Sequence, residues 1–419
     1  MLVAMADGSL YAAGDASKGA CGVPLPDAAR CARGTWSLKA TNIRQLTRVP
    51  NVDGVLSVAV GRCHSLAADG GHRVWAWGTS RHGALGIFQD APGTHTAAQA
   101  ASLQLVSYAP APTPLTWVAH ALSSDGCDSA AAAPASSAAP LSPHPPRVAQ
   151  LFAGWECSGM RTSDGRVITF GSNRFGACGT HAPASKPLLP GSVADLPPDV
   201  ALPGRVALPH VTHVATGWHH MLALTAASHE EGMHTGTANA PVVYSWGRAR
   251  FGQLGRPVAA GREHAAPLAL RSSAAGTTPR CHSAATPPTT AHATEFDAQP
   301  APIVLPFGCV PQRIAAGAEH SVIVCRCASS DVVRDSAAKE SSRAAPSAEE
   351  ERMGTPSSVR SRVFGCGWNE HGNLGVSPHT VPYYPPHPPL PAHCGPSGDE
   401  GNAWWVRIPL PHSVRDVHD

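Results

Sequence analysis

Val74-Trp75-Ala76-Trp77-Gly78-Thr79-Ser80-Arg81-His82-Gly83-Ala84-Leu85-Gly86 is the stretch from which the rest of the chain can be read. An apolar and aromatic run leads into Gly-x4-Gly-x2-Gly. The same spacing returns at Gly14-Gly19-Gly22, Gly171-Gly176-Gly179, Gly247-Gly252-Gly255 and Gly367-Gly372-Gly375, which makes five copies. A short apolar run precedes each of them, for example Val167-Ile168-Thr169-Phe170 and Val243-Tyr244-Ser245-Trp246. The run predicts a buried strand, and the glycines predict a turn that needs positive φ. One such triplet is a weak signal. Five in a fixed context are an internal repeat.

A second cassette stands upstream of four of these copies, reading apolar-x-apolar-x-Gly-x-x-His. It occurs as Val58 to His64, Val214 to His220 and Ile314 to His320, and at Leu151 to Cys157 a cysteine fills the histidine position. Asp7-Gly8, Asp69-Gly70 and Asp164-Gly165 fall between the two cassettes. Asp-Gly between alternating runs is a strong hairpin signal. The unit is thus strand, glycine turn, strand, hairpin, strand, glycine cassette, strand: one four-stranded antiparallel blade. Blades repeated radially predict an all-β propeller.

The pattern Val-Ala-x-Gly-x-x-His followed by Val-x-x-Trp-Gly-x4-Gly-x-Leu-Gly resembles the repeat of the regulator of chromosome condensation family. Trp77 to Gly86, Trp246 to Gly255 and Gly367 to Gly375 are its nearest forms here. The resemblance implies seven blades; five carry a recognisable glycine cassette, and the spacing between them leads to an expectation of six or seven. The Gly367-Trp368-Asn369-Glu370-His371-Gly372-Asn373 loop, the Gly154-Trp155 turn and Ala316 to His320 more narrowly resemble the fungal alpha-tubulin-suppressor branch. That branch implies a non-enzymatic partner of a small zinc- or iron-binding electron-carrier protein. Through it, the resemblance implies a role in Elongator-dependent tRNA wobble-uridine modification and in diphthamide biosynthesis. The founding member of the family implies the alternative, guanine-nucleotide exchange on a small GTPase.

Composition sets bounds on these readings. A net charge of +2 over 419 residues argues against a chain-wide phosphate-binding surface, so no strong nucleic-acid binding is expected. No run of 18 apolar residues and no signal segment is seen, which points away from the membrane and towards the cytosol, with the nucleus also open. Twelve cysteines contain no Cys-x-x-Cys, and reduced buried thiols are expected rather than disulfides or metal ligands.

Along the chain, Leu2 to Gly22 supplies only the second half of a blade. Leu410 to Val417 parallels Leu208 to Val214, so the ring is expected to close by pairing the terminal strands. The whole chain reads as a single propeller domain. Low-complexity insertions are expected at about 87–146, 226–241, 256–301 and 326–361. Within the first, Trp117 to Gly126 faintly echoes a strand and an Asp-Gly turn.

Catalytic constellations are missing from the sequence. The 23 histidines are dispersed and no metal-ligand spacing appears. Glycine cassettes followed by strands are not phosphate loops, which need a helix N-terminus behind them. Neither enzyme activity nor a cofactor is expected. His64, His220 and His320 recur at one position, and each ring is expected to bond backbone within its own blade. What remains is surface. Arg81, Arg174 and Arg250 share the third position after the first glycine, with Lys18 one place further on. Together with Trp155, Trp368, Glu370 and His371 they are the expected partner-binding residues, because Trp and Arg dominate protein interfaces. Trp218, directly after a turn glycine as Trp155 is, joins the candidates.

Overall fold

The computed structural model describes residues 1–24, 42–70, 72–90, 102–123, 146–179, 188–189, 192–193, 196–227, 240–258, 296–305, 309–328, 359–369, 371–374 and 406–408. Each repeat is an antiparallel sheet whose strands we letter A to D from the inside outwards. The first blade holds β1 (Leu2–Ala4), β2 (Leu10–Asp15) and β3 (Asn42–Arg48) as B, C and D. The second holds β4 (Val55–Val60), β5 (His64–Asp69) and β6 (Val74–Thr79) as A to C. Two extra strands follow, β7 (Phe88–Asp90) and β8 (Ser102–Leu105), before β9 (Tyr108–Pro114) completes the blade as D. A helix, α1 (Trp117–Ser123), leads to the next blade.

The third blade contains β10 (Val148–Ala153), β11 (Cys157–Thr162) and β12 (Val167–Ser172). A short β13 (Ser192–Val193) pairs in parallel with β8, and β14 (Val200–Arg205) is strand D. The fourth blade is β15 (Val211–Thr216), β16 (His220–Thr225), β17 (Val243–Arg248) and β18 (Phe296–Pro302). The fifth is β19 (Cys309–Ala316), β20 (His320–Ala328), β21 (Val359–Gly367) and β22 (Val406–Ile408). A strands of neighbouring blades touch along the inside. The protein is an all-β propeller. The expected closing segment, Leu410 to Val417, lies outside the described residues.

The glycine spacing has a local cause. The C–D ladder slips next to the first glycine in the first four blades, by two residues at Ala12/Gly14, Ala76/Gly78 and Ser245/Gly247 and by one at Thr169/Gly171. At Gly78, φ is +106°, and a Cβ there would collide with the Cys63 carbonyl. Glycine is therefore required at this bulge.

Each cassette also makes the seat for the blade after it. The carbonyls of Ala20, Ala84, Ala177 and Gln253 all stand six residues after their first glycine. Ala20 O accepts from Trp77 Nε1 at 2.9 Å and from Ser65 Oγ at 2.7 Å. Ala84 O accepts from Ser158 Oγ at 2.7 Å, and Ala177 O from Trp246 Nε1 at 3.0 Å. Gln253 O accepts from Ser321 Oγ at 2.7 Å and from Cys366 Sγ at 3.5 Å. These bonds join one blade to the next, and where the carbonyl has a single donor across the seam, as at Ala84 and Ala177, losing it leaves a buried acceptor without that partner.

His64 and His220 belong to the same seams, which corrects for these two the expectation that the recurring histidines bond within their own blade. His64 Nε2 lies 2.8 Å from Ser158 Oγ of the next blade, and His220 Nε2 lies 3.0 Å from Ser321 Oγ. Each serine hydroxyl already gives its proton to a carbonyl, so the imidazole Nε2–H is the donor. Burial holds both rings neutral, His64 down to about 4 and His220 down to about 3. At the seam between them, both partners change together. Cys157 replaces the histidine, Met221 replaces the serine, and the two share one buried apolar cluster with Trp246.

Three further expectations are corrected. The insertion placed at about 87–146 contains ordered β9 and α1, and the one at 256–301 contains most of β18. Trp117 to Ser123 is a helix rather than a degenerate strand. Its buried residues Trp117, Val118, Ala121 and Leu122 follow helical spacing. Trp117 stacks edge-on against Phe170 with centroids 5.5 Å apart and donates Nε1–H to Gly86 O at 2.8 Å. It thereby provides the indole donor that Phe170 lacks at its seam. Finally, Cys309 and Cys327, partners across β19 and β20, form a disulfide, against the expectation of reduced thiols throughout.

Candidate partner-docking face

The A–B turns and the glycine cassettes lie on one face. Thr79 N donates to Cys63 O, Ser172 N to Glu156 O, Arg248 N to His219 O and Trp368 N to Glu319 O, at 2.8 to 2.9 Å. The second to fifth cassettes are thus each tied at the root to the A–B turn of their own blade. The Asp-Gly hairpins, at the other ends of the B and C strands, face the opposite way.

The residue after each A–B glycine forms an inner row. Arg62 N donates to Trp155 O at 3.2 Å, Trp155 N to Trp218 O at 2.9 Å and Trp218 N to Ala318 O at 2.9 Å. This backbone chain places the side chains in register. The Arg62 guanidinium lies 4.7 Å from the Trp155 ring, and the Trp155 and Trp218 rings are 4.4 Å apart. Trp218 remains 44% exposed, which is unusual for the largest side chain in a close-packed fold.

A second row ties cassettes to the turns of the following blade. His82 lies 3.6 Å from Glu156 and 3.0 Å from Asp199. The Phe175 and His219 rings are 4.9 Å apart, with the Arg248 guanidinium 4.9 Å from Phe175. Arg248 also pairs with Glu319 at 2.8 Å, and Gln253 Nε2 donates to the other Glu319 oxygen at 2.6 Å. Burial pushes Glu319 up against the opposing pull of Arg248. Burial, and then Arg248 and Arg174, push His219 down to about 4, so it stacks as a neutral ring. The base of the face is therefore rigid and internally matched.

Its rim carries the residues expected from the sequence. Arg81, Arg174 and Arg250 are all exposed on this face, one per blade. Arg174 stacks on Phe175 at 5.2 Å and Arg250 on Phe251 at 5.5 Å. Trp368 lies 5.2 Å from His371 and 6.3 Å from Phe251, so the fifth cassette joins the fourth. Glu370 lies outside the described residues. Trp155 belongs to the inner row, one tier inward from the arginines. Arg62, Phe175 and Phe251 were not expected. Arg62 was legible in principle, because it holds the same repeat position as Trp155 and Trp218.

Residues 164–224 match the family described as Regulator of chromosome condensation (RCC1) repeat. They run from the hairpin of the third blade to strand B of the fourth, and the other blades repeat the same turns and seams. This stretch of the chain is an RCC1 repeat.

No curated protein matches the sequence. Among solved structures, human WBSCR16 is similar at 16% identity and a TM-score of 0.43 over 87% of this chain, which spans 61% of that protein. Yeast RCC1 (Prp20) bound to Kap60 is similar at 16% identity and a TM-score of 0.38, covering 97% of this chain and 74% of that one. Prp20p from Saccharomyces cerevisiae, whose structure was described with its binding to Gsp1p and histones, gives 16%, 0.38, 98% and 76%. At these scores the fold assignment rests on the blades themselves. Among the described residues, no group of three or more His, Cys, Asp or Glu side chains is placed to hold a metal ion. No described helix is long and apolar enough to cross a membrane.

Proposed function

We propose that this RCC1-repeat propeller is a non-enzymatic docking scaffold that binds a partner protein on the face carrying the A–B turns. The observation that supports the reading is the Arg62–Trp155–Trp218 stack, with Trp218 held out at 44% exposure by a backbone chain across four blades. A preformed aromatic surface loses little conformational entropy on binding, and Trp and Arg are the residues that most often carry interface energy. The finer reading is that the partner is a small zinc- or iron-binding electron-carrier protein serving Elongator-dependent tRNA modification and diphthamide formation. It is supported by the resemblance of the Gly367–Gly375 loop and the Gly154–Trp155 turn.

The test is binding of the purified metal carrier to the intact protein and to a Trp155→Ala/Trp218→Ala variant. Binding that falls at least about tenfold in the variant, with an unchanged unfolding midpoint, supports both levels of the reading. If the carrier does not bind but other captured proteins depend on the two tryptophans, the docking face stands and the metal-carrier assignment falls. Accelerated nucleotide release from a small GTPase favours the exchange-factor alternative instead.

A further inference from the structure

We infer that the rim of this face takes an acidic segment of the partner protein, whose carboxylates meet Arg81, Arg174 and Arg250; the inference rests on the docking reading above. The three guanidinium groups occur once per blade at one repeat position, on three consecutive blades. Two of them are laid over a phenylalanine of their own loop, at 5.2 and 5.5 Å. Stacking on a ring limits how a guanidinium turns and leaves its N–H groups free for bidentate contact with a carboxylate.

The carboxylates around them are already used. Glu319 is held by Arg248 and Gln253, at 2.8 and 2.6 Å. Glu156 faces Arg62 at 3.7 Å and His82 at 3.6 Å, and Asp199 faces His82 at 3.0 Å. Among the described residues no carboxylate forms a direct ion pair with Arg81, Arg174 or Arg250, and only Arg250 feels one, the charge of Glu319, which is already held by Arg248. The base of the face is thus matched internally, while its described rim carries three arginines that have no ion-pair partner of their own.

Protein fits this pattern better than nucleic acid. Glu156 and Asp199, with side chains 32% and 28% exposed, lie at the seam between the Arg81 and Arg174 loops. A continuous phosphate backbone crossing that seam would pass both carboxylates. A peptide places its charges singly and can set an apolar or neutral residue there. The chain-wide net charge of +2 adds no long-range attraction for a polyanion.

Fluorescein-labelled decaglutamate is the probe, read by anisotropy against the full chain at low salt. Reversing the three rim arginines (Arg81→Glu, Arg174→Glu, Arg250→Glu) is expected to weaken binding at least about tenfold. A control with the same change of net charge on the outer strands (Arg44→Glu, Arg48→Glu, Arg407→Glu) is expected to weaken it less than about threefold. The inference is overturned if decaglutamate does not bind, if both variants lose equally, or if a 20-nucleotide DNA binds more tightly through the same arginines. The outcome separates from that of the docking reading. Partner capture lost in the Trp155/Trp218 variant but kept in the arginine-reversed one retains the face and rejects the acidic segment.

Discussion

His64 donates its Nε2 proton to Ser158 across the seam between the second and third blades, at 2.8 Å, although 94 residues separate the two in the chain. One seam further on, the same two positions hold Cys157 and Met221, and the polar contact has become an apolar one. The pair changes as a unit because either half alone leaves a buried polar group without its partner.

The two chemistries should be interchangeable. Cys157→His alone and Met221→Ser alone are each expected to destabilise the protein by about 1–3 kcal/mol, since the histidine buries a donor without its serine and the serine leaves a gap in the apolar cluster that Met221 fills. The double variant is expected to recover at least about 1 kcal/mol of the summed loss. Denaturant unfolding followed by tryptophan fluorescence measures this. Strict additivity of the two losses would show that the positions are not coupled.

Acid should weaken the seams before it titrates most carboxylates. His64 and His220 have folded values of about 4 and about 3, below the ordinary 6.5. Between those values the unfolded chain binds protons that the folded chain excludes. Their stabilisation is complete above about pH 6.5 and falls as the pH drops, by about 1.4 kcal/mol per pH unit for each histidine. The loss levels off near pH 4 for His64 and near pH 3 for His220. Urea midpoints at pH 7, 6 and 5 should show the slope, and His64→Gln should reduce it. An unchanged slope between pH 6 and 5 in that variant counts against the assignment.

Removing an indole N–H should cost different amounts at different seams. Ala20 O keeps the Ser65 hydroxyl when Trp77 becomes Phe, whereas Ala177 O has Trp246 as its donor and Met221 at the serine position. Trp246→Phe is expected to cost about 1 kcal/mol more than Trp77→Phe, the penalty for a buried carbonyl left alone. Equal unfolding midpoints for the two variants would contradict this.

Reduction of Cys309–Cys327 should lower stability without touching the docking face. The bond lies at the ends of β19 and β20 remote from the Ala318 turn and closes a loop with a sequence separation of 18. A loop of that length corresponds to roughly 3 kcal/mol of denatured-state constraint. The melting temperature should fall in Cys309→Ala/Cys327→Ala, while partner binding at low temperature stays at the level of the parent. Loss of binding without loss of stability would place the disulfide in the site instead.

The repeat was legible because its glycines answer a backbone demand that recurs at each bulge, and the B and C strands carry apolar runs buried on both faces. The D strands were hidden. Tyr108–Pro114 and Phe296–Pro302 contain Pro110, Pro112, Pro114, Pro300 and Pro302, and so read as linker. An outer strand is paired along one edge only, and proline is tolerated there because the missing N–H faces away from the ladder. The α1 helix was hidden by its length, too short for a periodic signal beside an alanine-rich tract. Of the docking face, the repeat register pointed to Arg81, Arg174, Arg250 and Trp155, since equivalent positions share a face. The stacking partners Phe175 and Phe251 and the seam histidines recur at fixed repeat positions, but which groups they meet depends on packing between side chains and could not be read from the recurrence.

A substitution in one blade does its damage in another. A Cβ on Gly22 would stand 2.7 Å from Trp77 Nε1, one on Gly86 would stand 2.7 Å from Phe170, and one on Gly179 would stand 3.1 Å from Trp246. Each glycine belongs to one unit and the aromatic ring it would displace belongs to the unit downstream. Loss-of-function alleles sorted by codon would therefore be filed under the wrong blade, and a suppressor of a glycine lesion is best sought about 55 to 84 codons later, at the ring that has been pushed.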